Sequence, residues 1–397
     1  WRDWSSDVCS SDLHFLKILK IETSQDRVFG LDLLRAIAIV MVMLLHGNSY
    51  LPPVIGEIIG FFIIDGVSIF FVLSGFLIGG IFIKLLKRTH PKEINLKFLM
   101  NFLMRRWLRT LPNYYLVLTI IILFFLVNNL PISHYSMYKY FLFFQNFSTP
   151  HPTFFPEAWS LAVEEWFYII IPSLVIITYH LYSQEKIKNS LLTISFIVIL
   201  SCMLLRFFKF QNIGITDDFD LNYKKIVILR LDSIIYGIIM AYLFFIKKEL
   251  MRRWKNYFAI LGLLILTSLH LYITKENPSP FFIANLSLPL ESISTMLLLP
   301  YFYFLRVKNS IFKKIVVHIS VISYSMYLFN YSLIKYGIIK SINWRALYRI
   351  IESFPSAHII IDFLQYILFW VITIVISTLV YNFYEKPMLN FRDKITQ

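Results

Sequence analysis

The stretch "GLDLLRAIAIVMVMLLHG", residues 30–47, is apolar enough to lie in lipid, yet it carries an acid, a guanidinium and an imidazole at Asp32, Arg35 and His46. An apolar run of this length spans most of the ~30 Å hydrocarbon layer as a helix. Similar runs recur along the whole chain, at about 28–49, 58–83, 111–130, 158–181, 189–207, 226–246, 256–274, 281–305, 315–338 and 358–383. Backbone groups in lipid must be satisfied within the segment, and the alternating pattern of a membrane barrel is absent. The expected fold is therefore all-α, a polytopic transmembrane helical bundle of about ten spans.

Composition agrees. Of 397 residues 57% are hydrophobic and only 16% charged, where a soluble domain carries about a quarter charged. The mean hydropathy is +0.65. The net charge of +14 would suggest nucleic acid in a soluble protein. Here lysine and arginine are read as topology signals, and no nucleic-acid partner is expected. With the N-terminus inside, the inner segments hold Arg27; Lys84, Lys87, Arg105 and Arg106; Lys247, Lys248, Arg252 and Arg253; Arg306, Lys313 and Lys314; and Lys386, Arg392 and Lys394. The 50–57 loop has no lysine or arginine, and the 131–157 loop has only Lys139. The 208–225 and 339–357 loops break the pattern, the first mixing Lys209, Lys224 and Lys225 with Asp217, Asp218 and Asp220. The balance places both termini in the cytoplasm.

The first thirteen residues, "WRDWSSDVCSSDL", are polar and aperiodic, have no signal-peptide core, and resemble translated adapter read-through. Residues 1–13 are set aside as non-native, and 14–397 are read as a single membrane domain. Cys9 and Cys202 are too far apart in sequence to suggest a disulfide framework.

Arg35 and His46 are eleven residues apart, about 1100° of rotation or roughly three turns, so they share one face about 16 Å apart along the axis. Asp32 stands one turn before Arg35 and is its expected partner. Ionisable groups within a span are costly and face a bundle interior or a water-filled path. A neutral imidazole can take a proton from an attacking hydroxyl, which makes His46 apt as a general base.

An arginine followed eleven residues later by histidine in the first span resembles the acyltransferase-three family of bacterial integral-membrane O-acyltransferases, whose members acetylate O-antigen, peptidoglycan, exopolysaccharides and nodulation factors. Further elements follow in the family's order: "DGVSIFFVLSGFLIGG" (65–80), "RRWLRTLPNYY" (105–115), "WSLAVEEWFYIIIP" (159–172), "RLDSIIYGIIMA" (230–241), "SYSMYLFN" (323–330) and "YEKP" (384–387). Two positions depart from it. Ser68 stands where many members have aspartate, and Asn330 where many have histidine, so neither is given an acid/base role.

The resemblance implies transfer of an acyl group, acetyl above all, from acyl-coenzyme A to a glycan or lipid-linked glycan at the bacterial inner membrane. Arg105, Arg106 and Arg109 then hold the donor's phosphates, which guanidinium forks suit. Pro112 is expected to break the helix between an interfacial segment and the span. Glu164 aligns with the motif's glutamate and is expected to orient His46, stabilise its protonated form, or bind sugar hydroxyls; Glu165 reads equally as a solvated helix-start charge. Trp159, Ser160, Arg230, Asp232 and Glu291 are candidate acceptor contacts, with packing or salt-bridge roles as the alternative. Gly75, Gly79 and Gly80 read as close helix packing. Ser74 has no base in its own motif, which favours direct transfer. Glu385, Lys386 and Pro387 read as a structural helix end. Specificity is expected in the outer loops, 131–157 above all. Some relatives carry a C-terminal hydrolase-like domain; without one, transfer is direct or uses a separate periplasmic partner. The readings of another class are a transporter or flippase of a lipid-linked glycan, and acylation of a small molecule or lipid. No metal-ligand cluster is visible in the sequence.

Overall fold

A computed structural model describes residues 27–88, 94–132, 135–181, 187–215, 218–351 and 357–395. The 1–13 segment with Cys9, and Asp217, lie outside the described residues. Among the described residues the architecture is helical. Nine helical runs are long and apolar enough to cross a membrane.

The helices are α1 (Phe29–Gly47), a short α2 (Pro53–Phe62), α3 (Gly66–Arg88), α4 (Leu96–Val127), a five-residue α5 (Met137–Phe141), α6 (Ala158–Leu181), α7 (Ile187–Ile213), α8 (Asp232–Ile273), α9 (Leu288–Phe304), α10 (Ile311–Phe329), α11 (Trp344–Ile351), α12 (Ala357–Val380) and α13 (Lys386–Ile395). Nine runs and the ten expected spans are reconciled at α8. Its 42 residues would extend about 63 Å if straight, twice the hydrocarbon thickness. The backbone leaves helical geometry at Lys247 (φ −132°, ψ 50°), between the spans read at 226–246 and 256–274. The first arm packs on both α3 and α9, through Gly237 and Phe244, and the second meets α9 at Gly262.

Small residues set the closest approaches. A Cβ on Gly75 of α3 would lie 1.9 Å from the Ile234 carbonyl oxygen, and one on Gly237 of α8 would lie 2.0 Å from that of Val72. The first arm of α8 thus touches α3 backbone to backbone, the arrangement small residues permit in membranes. Gly79 packs likewise against Ile238 and Ala241, whereas Gly80 has nothing within 4 Å and so is not a packing glycine.

The expected break at Pro112 is absent. The helix α4 runs unbroken through it. The hydroxyls of Tyr324 and Tyr384 donate to the carbonyls of Thr110 and Pro112, at 2.7 and 3.3 Å, which ties the backbone on both sides of this point to other elements. Asn95 caps the helix by accepting from the Phe98 amide.

The polar helix α1 lies inside the bundle against α3, α9 and α10. Wide π-helical turns interrupt other elements at Asp220–Lys224, Asn330–Ile338 and Tyr381–Glu385. Each places side chains at one end or the other of the polar face of α1. Part of the 131–157 loop packs into the bundle. Tyr140, Phe143, Phe154 and Phe155 are buried, and Asn146 donates to the carbonyls of Trp159 and Lys225, at 3.1 and 2.6 Å.

Candidate active site

At the end of α1 distant from Arg35, His46 lines a cavity of about 290 Å³ with Asp65, Glu157, Trp159, Asp220, Lys224, Lys225, Tyr327, Tyr331 and Lys335. The imidazole Nδ1 lies 2.5 Å from Asn330 Oδ1. The Asn330 amide nitrogen donates to the carbonyls of Met326 and Tyr327, at 2.7 and 2.8 Å. Both its hydrogens are thereby engaged, so the amide oxygen faces the ring and can only accept. In the neutral imidazole the proton therefore sits on Nδ1, and Nε2 carries the free lone pair. The Tyr331 ring stands 4.6 Å from the imidazole, and Lys335 Nζ donates to the His46 carbonyl at 2.7 Å. Of the roles open to Glu164, a contact with His46 is not made: the residue beside the imidazole is Asn330, brought there by the turn that begins where α10 ends.

Glu157 closes another wall of the same cavity. It accepts from the Ser332 amide at 2.5 Å and the Ser332 hydroxyl at 2.6 Å. Burial pushes its carboxyl up to about 7, against those two hydrogen bonds.

At the other end of α1 a larger cavity of about 560 Å³ gathers Arg27, Arg35, Arg106, Arg109 and Arg392 with Glu164, Tyr168, Ser74, Tyr324, Glu385 and Lys386. The expected Asp32–Arg35 pair is loose at 3.9 Å. Asp32 instead accepts from both Arg27 Nε (2.9 Å) and Arg27 Nη2, and from Ser320 Oγ at 2.7 Å. That leaves the Arg35 guanidinium turned to the cavity. Of the three clustered arginines, Arg106 and Arg109 line the cavity and Arg105 does not. The adjacent glutamates part as helix geometry requires. Glu164 reaches the cavity and accepts from Tyr168 at 3.0 Å. Glu165 is buried and accepts from Thr110 at 2.8 Å, so it is no solvated helix-start charge.

Two features were not foreseen at this end. Ser74 Oγ lies 2.8 Å from Tyr168 OH. Because Tyr168 donates to Glu164, the serine donates to the tyrosine, giving a Ser74–Tyr168–Glu164 chain across two helices. Glu385, read as part of a structural helix end, lines the cavity and accepts from Ser325 and Asn113 at 2.9 and 3.0 Å.

The two cavities share Val67 and Tyr327 as walls. Ser160 donates to Tyr327 OH at 2.7 Å, and that hydroxyl donates to the Glu157 carbonyl at 3.0 Å. Ser160 thus lies on the Arg35 side and Trp159 on the His46 side of one partition.

Three candidate acceptor contacts fall elsewhere. Asp232 is fully buried against Arg206 at 2.7 Å, remote from both cavities' walls. Arg230, also fully buried, donates to Ser68 Oγ and lies 3.6 Å from Asp65 and 3.7 Å from Glu291. Ser68 Oγ is 2.8 Å from Asp65 Oδ2 and 2.9 Å from Glu291 Oε2, and its single hydrogen serves one carboxylate at a time. Arg230 and Glu291 are thus held in a charge cluster behind Asp65, not in the cavity wall. In the 131–157 loop, among the described residues, only Pro156 and Glu157 reach the His46 cavity; Tyr140, Phe143, Phe154 and Phe155 are buried, while Tyr138, Phe141 and Phe144 are exposed.

A protein-family model described as an acyltransferase domain matches residues 28–382. The YrhL protein of Bacillus subtilis is 32% identical over 192 residues, covering 44% of this chain and 28% of the relative. The peptidoglycan O-acetyltransferase OatA of Listeria monocytogenes is 31% identical over 170 residues, 39% of this chain and 25% of the relative. The O-acetyltransferase OatA of Staphylococcus aureus is 25% identical over 243 residues, 56% and 36% of the two chains. The matched stretches thus cover about a quarter to a third of these relatives' lengths. No solved structure matches the chain.

Proposed function

Since the chain belongs to the acyltransferase family, we propose that it moves a short acyl group, acetyl above all, from acyl-coenzyme A to a hydroxyl of an envelope glycan across the inner membrane. The observation that carries this reading is the pair of cavities at the two ends of the polar face of α1, adjoining at Val67 and Tyr327. The arginine-lined cavity suits a polyphosphate donor and opens to the cytoplasm. Arg27 near the start of the described chain and Arg392 near its end both line it, so both ends belong on that side. Arg35, Arg106 and Arg109 hold phosphates there.

In the smaller cavity the glycan hydroxyl gives its proton to His46 Nε2 while its oxygen attacks the thioester carbonyl. The carbon–sulfur bond breaks, and the imidazolium returns the proton to the departing thiolate. Asn330 holds the ring in the tautomer that leaves Nε2 free. Transfer is direct, with no acyl-serine. The relatives named as O-acetyltransferases support the glycan acceptor, at 25–31% identity over parts of their length.

The test is acetylation of envelope glycan by membranes supplied with labelled acetyl-coenzyme A. His46→Ala is expected to lose about 100-fold or more in turnover, the scale of general base catalysis. Full turnover in that variant would remove His46 as the base. Loss of glycan export in a deletion strain, in place of export of unacetylated glycan, would point to a transporter.

A further inference from the structure

The His46 cavity holds three carboxylates and three lysines, and among the described residues two of those ammonium groups stand apart from every carboxylate, a feature that transfer chemistry does not use. Its acids are largely committed. Asp65 lies 3.2 Å and Asp220 3.8 Å from the same ammonium, that of Lys224. Glu157 is engaged by Ser332, and its carboxyl, raised to about 7 by burial, is only partly ionised near neutral pH. Lys225 and Lys335 line the cavity, and among the described residues neither has a carboxylate at ion-pair distance. Lys335 is buried to 8% exposure and fixed in place. It spends one hydrogen on the His46 carbonyl, and its ammonium lies 5.1 Å from the Tyr331 ring and 5.6 Å from that of Tyr336. Two of its N–H groups remain for a ligand. A buried cation held by carbonyl and ring contacts, with no anion of its own, is the arrangement expected when the counter-charge arrives with the ligand.

Resting on the transferase reading, we infer that the acceptor is anionic: a saccharide bearing a carboxylate or phosphate within one sugar of the reacting hydroxyl, held by Lys335 and Lys225 beside His46. The cavity of about 290 Å³ is at the small end of ligand sites and suits one sugar and its charged substituent. The anion positions the neighbouring hydroxyl against Nε2, so Lys335 and Lys225 are specificity residues and not proton carriers.

The full chain in lipid nanodiscs is titrated calorimetrically with four acceptors: a muramic-acid disaccharide with its free carboxylate, the methyl ester of that disaccharide, an N-acetylglucosamine 1-phosphate, and neutral chitobiose. Acetylation of the same four from labelled acetyl-coenzyme A is measured in parallel. The carboxylate or the phosphate compound is expected to bind about tenfold tighter than its neutral counterpart, the scale of a charge-assisted contact, and the stronger of the two identifies the anion. In Lys335→Gln and Lys225→Gln that ratio falls toward one, while Lys308→Gln, outside both cavities, keeps it. Binding of both the acid and the phosphate no tighter than that of the ester and chitobiose, or a ratio unchanged in both lysine variants, overturns the inference and leaves the transferase reading untouched. Selective anion binding without acetylation of any acceptor upholds it and counts against the transferase reading.

Discussion

At His46 the decisive contact is Asn330. A histidine or carboxylate there would add a titrating group; asparagine adds only an oriented dipole. Its two amide hydrogens are tied to backbone carbonyls, so it selects one imidazole tautomer without sharing in the proton's travel. Asn330→Ala is expected to lower kcat about 10–100-fold, the range seen when a histidine's orienting partner is removed, with KM for acyl-coenzyme A unchanged. An unchanged kcat would show that His46 needs no orientation. Glu157 gives a stability prediction. Its carboxyl titrates near 7 in the folded protein, against 4.5 ordinarily. Below about 4.5 both folded and unfolded chains are protonated and the contribution is full. Between about 4.5 and 7 the unfolded chain has lost its proton and the folded one has not, so stability falls as pH rises. Glu157→Gln should flatten the dependence of Tm on pH across that window, measured in detergent, and an unaltered slope would contradict the assignment.

At the scale of elements, the wide turns are what equip α1 with partners. The turn Asn330–Ile338 presents Asn330, Tyr331 and Lys335 to the His46 cavity, Asp220–Lys224 presents Lys224, and Tyr381–Glu385 presents Glu385 to the other. Turns of this kind recur at functional sites because the extra residue re-aims side chains. Packing supplies a prediction here. Gly75→Ala forces a Cβ onto the Ile234 carbonyl and should cost about 1–3 kcal/mol, as overpacking does. Gly80→Ala meets open space and should be neutral or slightly stabilising, since alanine favours helix. Thermal unfolding of the two variants in detergent checks the contrast, and equal Tm values would overturn it.

At the scale of the whole molecule, a helix with charged groups at one end and an imidazole at the other is buried so that each end meets its own cavity, with Val67 and Tyr327 between them. In the proposed reaction these two residues form the neck through which the acyl thioester reaches His46, and a narrow neck limits the water that reaches it. Tyr327→Ala joins the cavities and should raise acetyl-coenzyme A hydrolysis in the absence of acceptor several-fold, read as thiol release; no rise would mean that another group seals the passage. Much of this was legible beforehand. Apolar runs of membrane length dictate helices, because lipid offers the backbone no partner, and the eleven-residue spacing puts Arg35 and His46 on one face because the helical period is local. That the helix continues through Pro112, that Glu164 lines the cavity away from His46, and that Arg230, Asp232 and Glu291 stand outside both cavity walls was not legible, because each depends on which helix lies opposite. The membrane-helical class and the polar face of α1 follow from run length and residue spacing alone. That Asn330 faces His46, that Asp32 is held by Arg27, and that Asp232 is spent on Arg206 emerges from the packing of the bundle, since hydrogen bonds and ion pairs are made between segments whose approach no local period specifies.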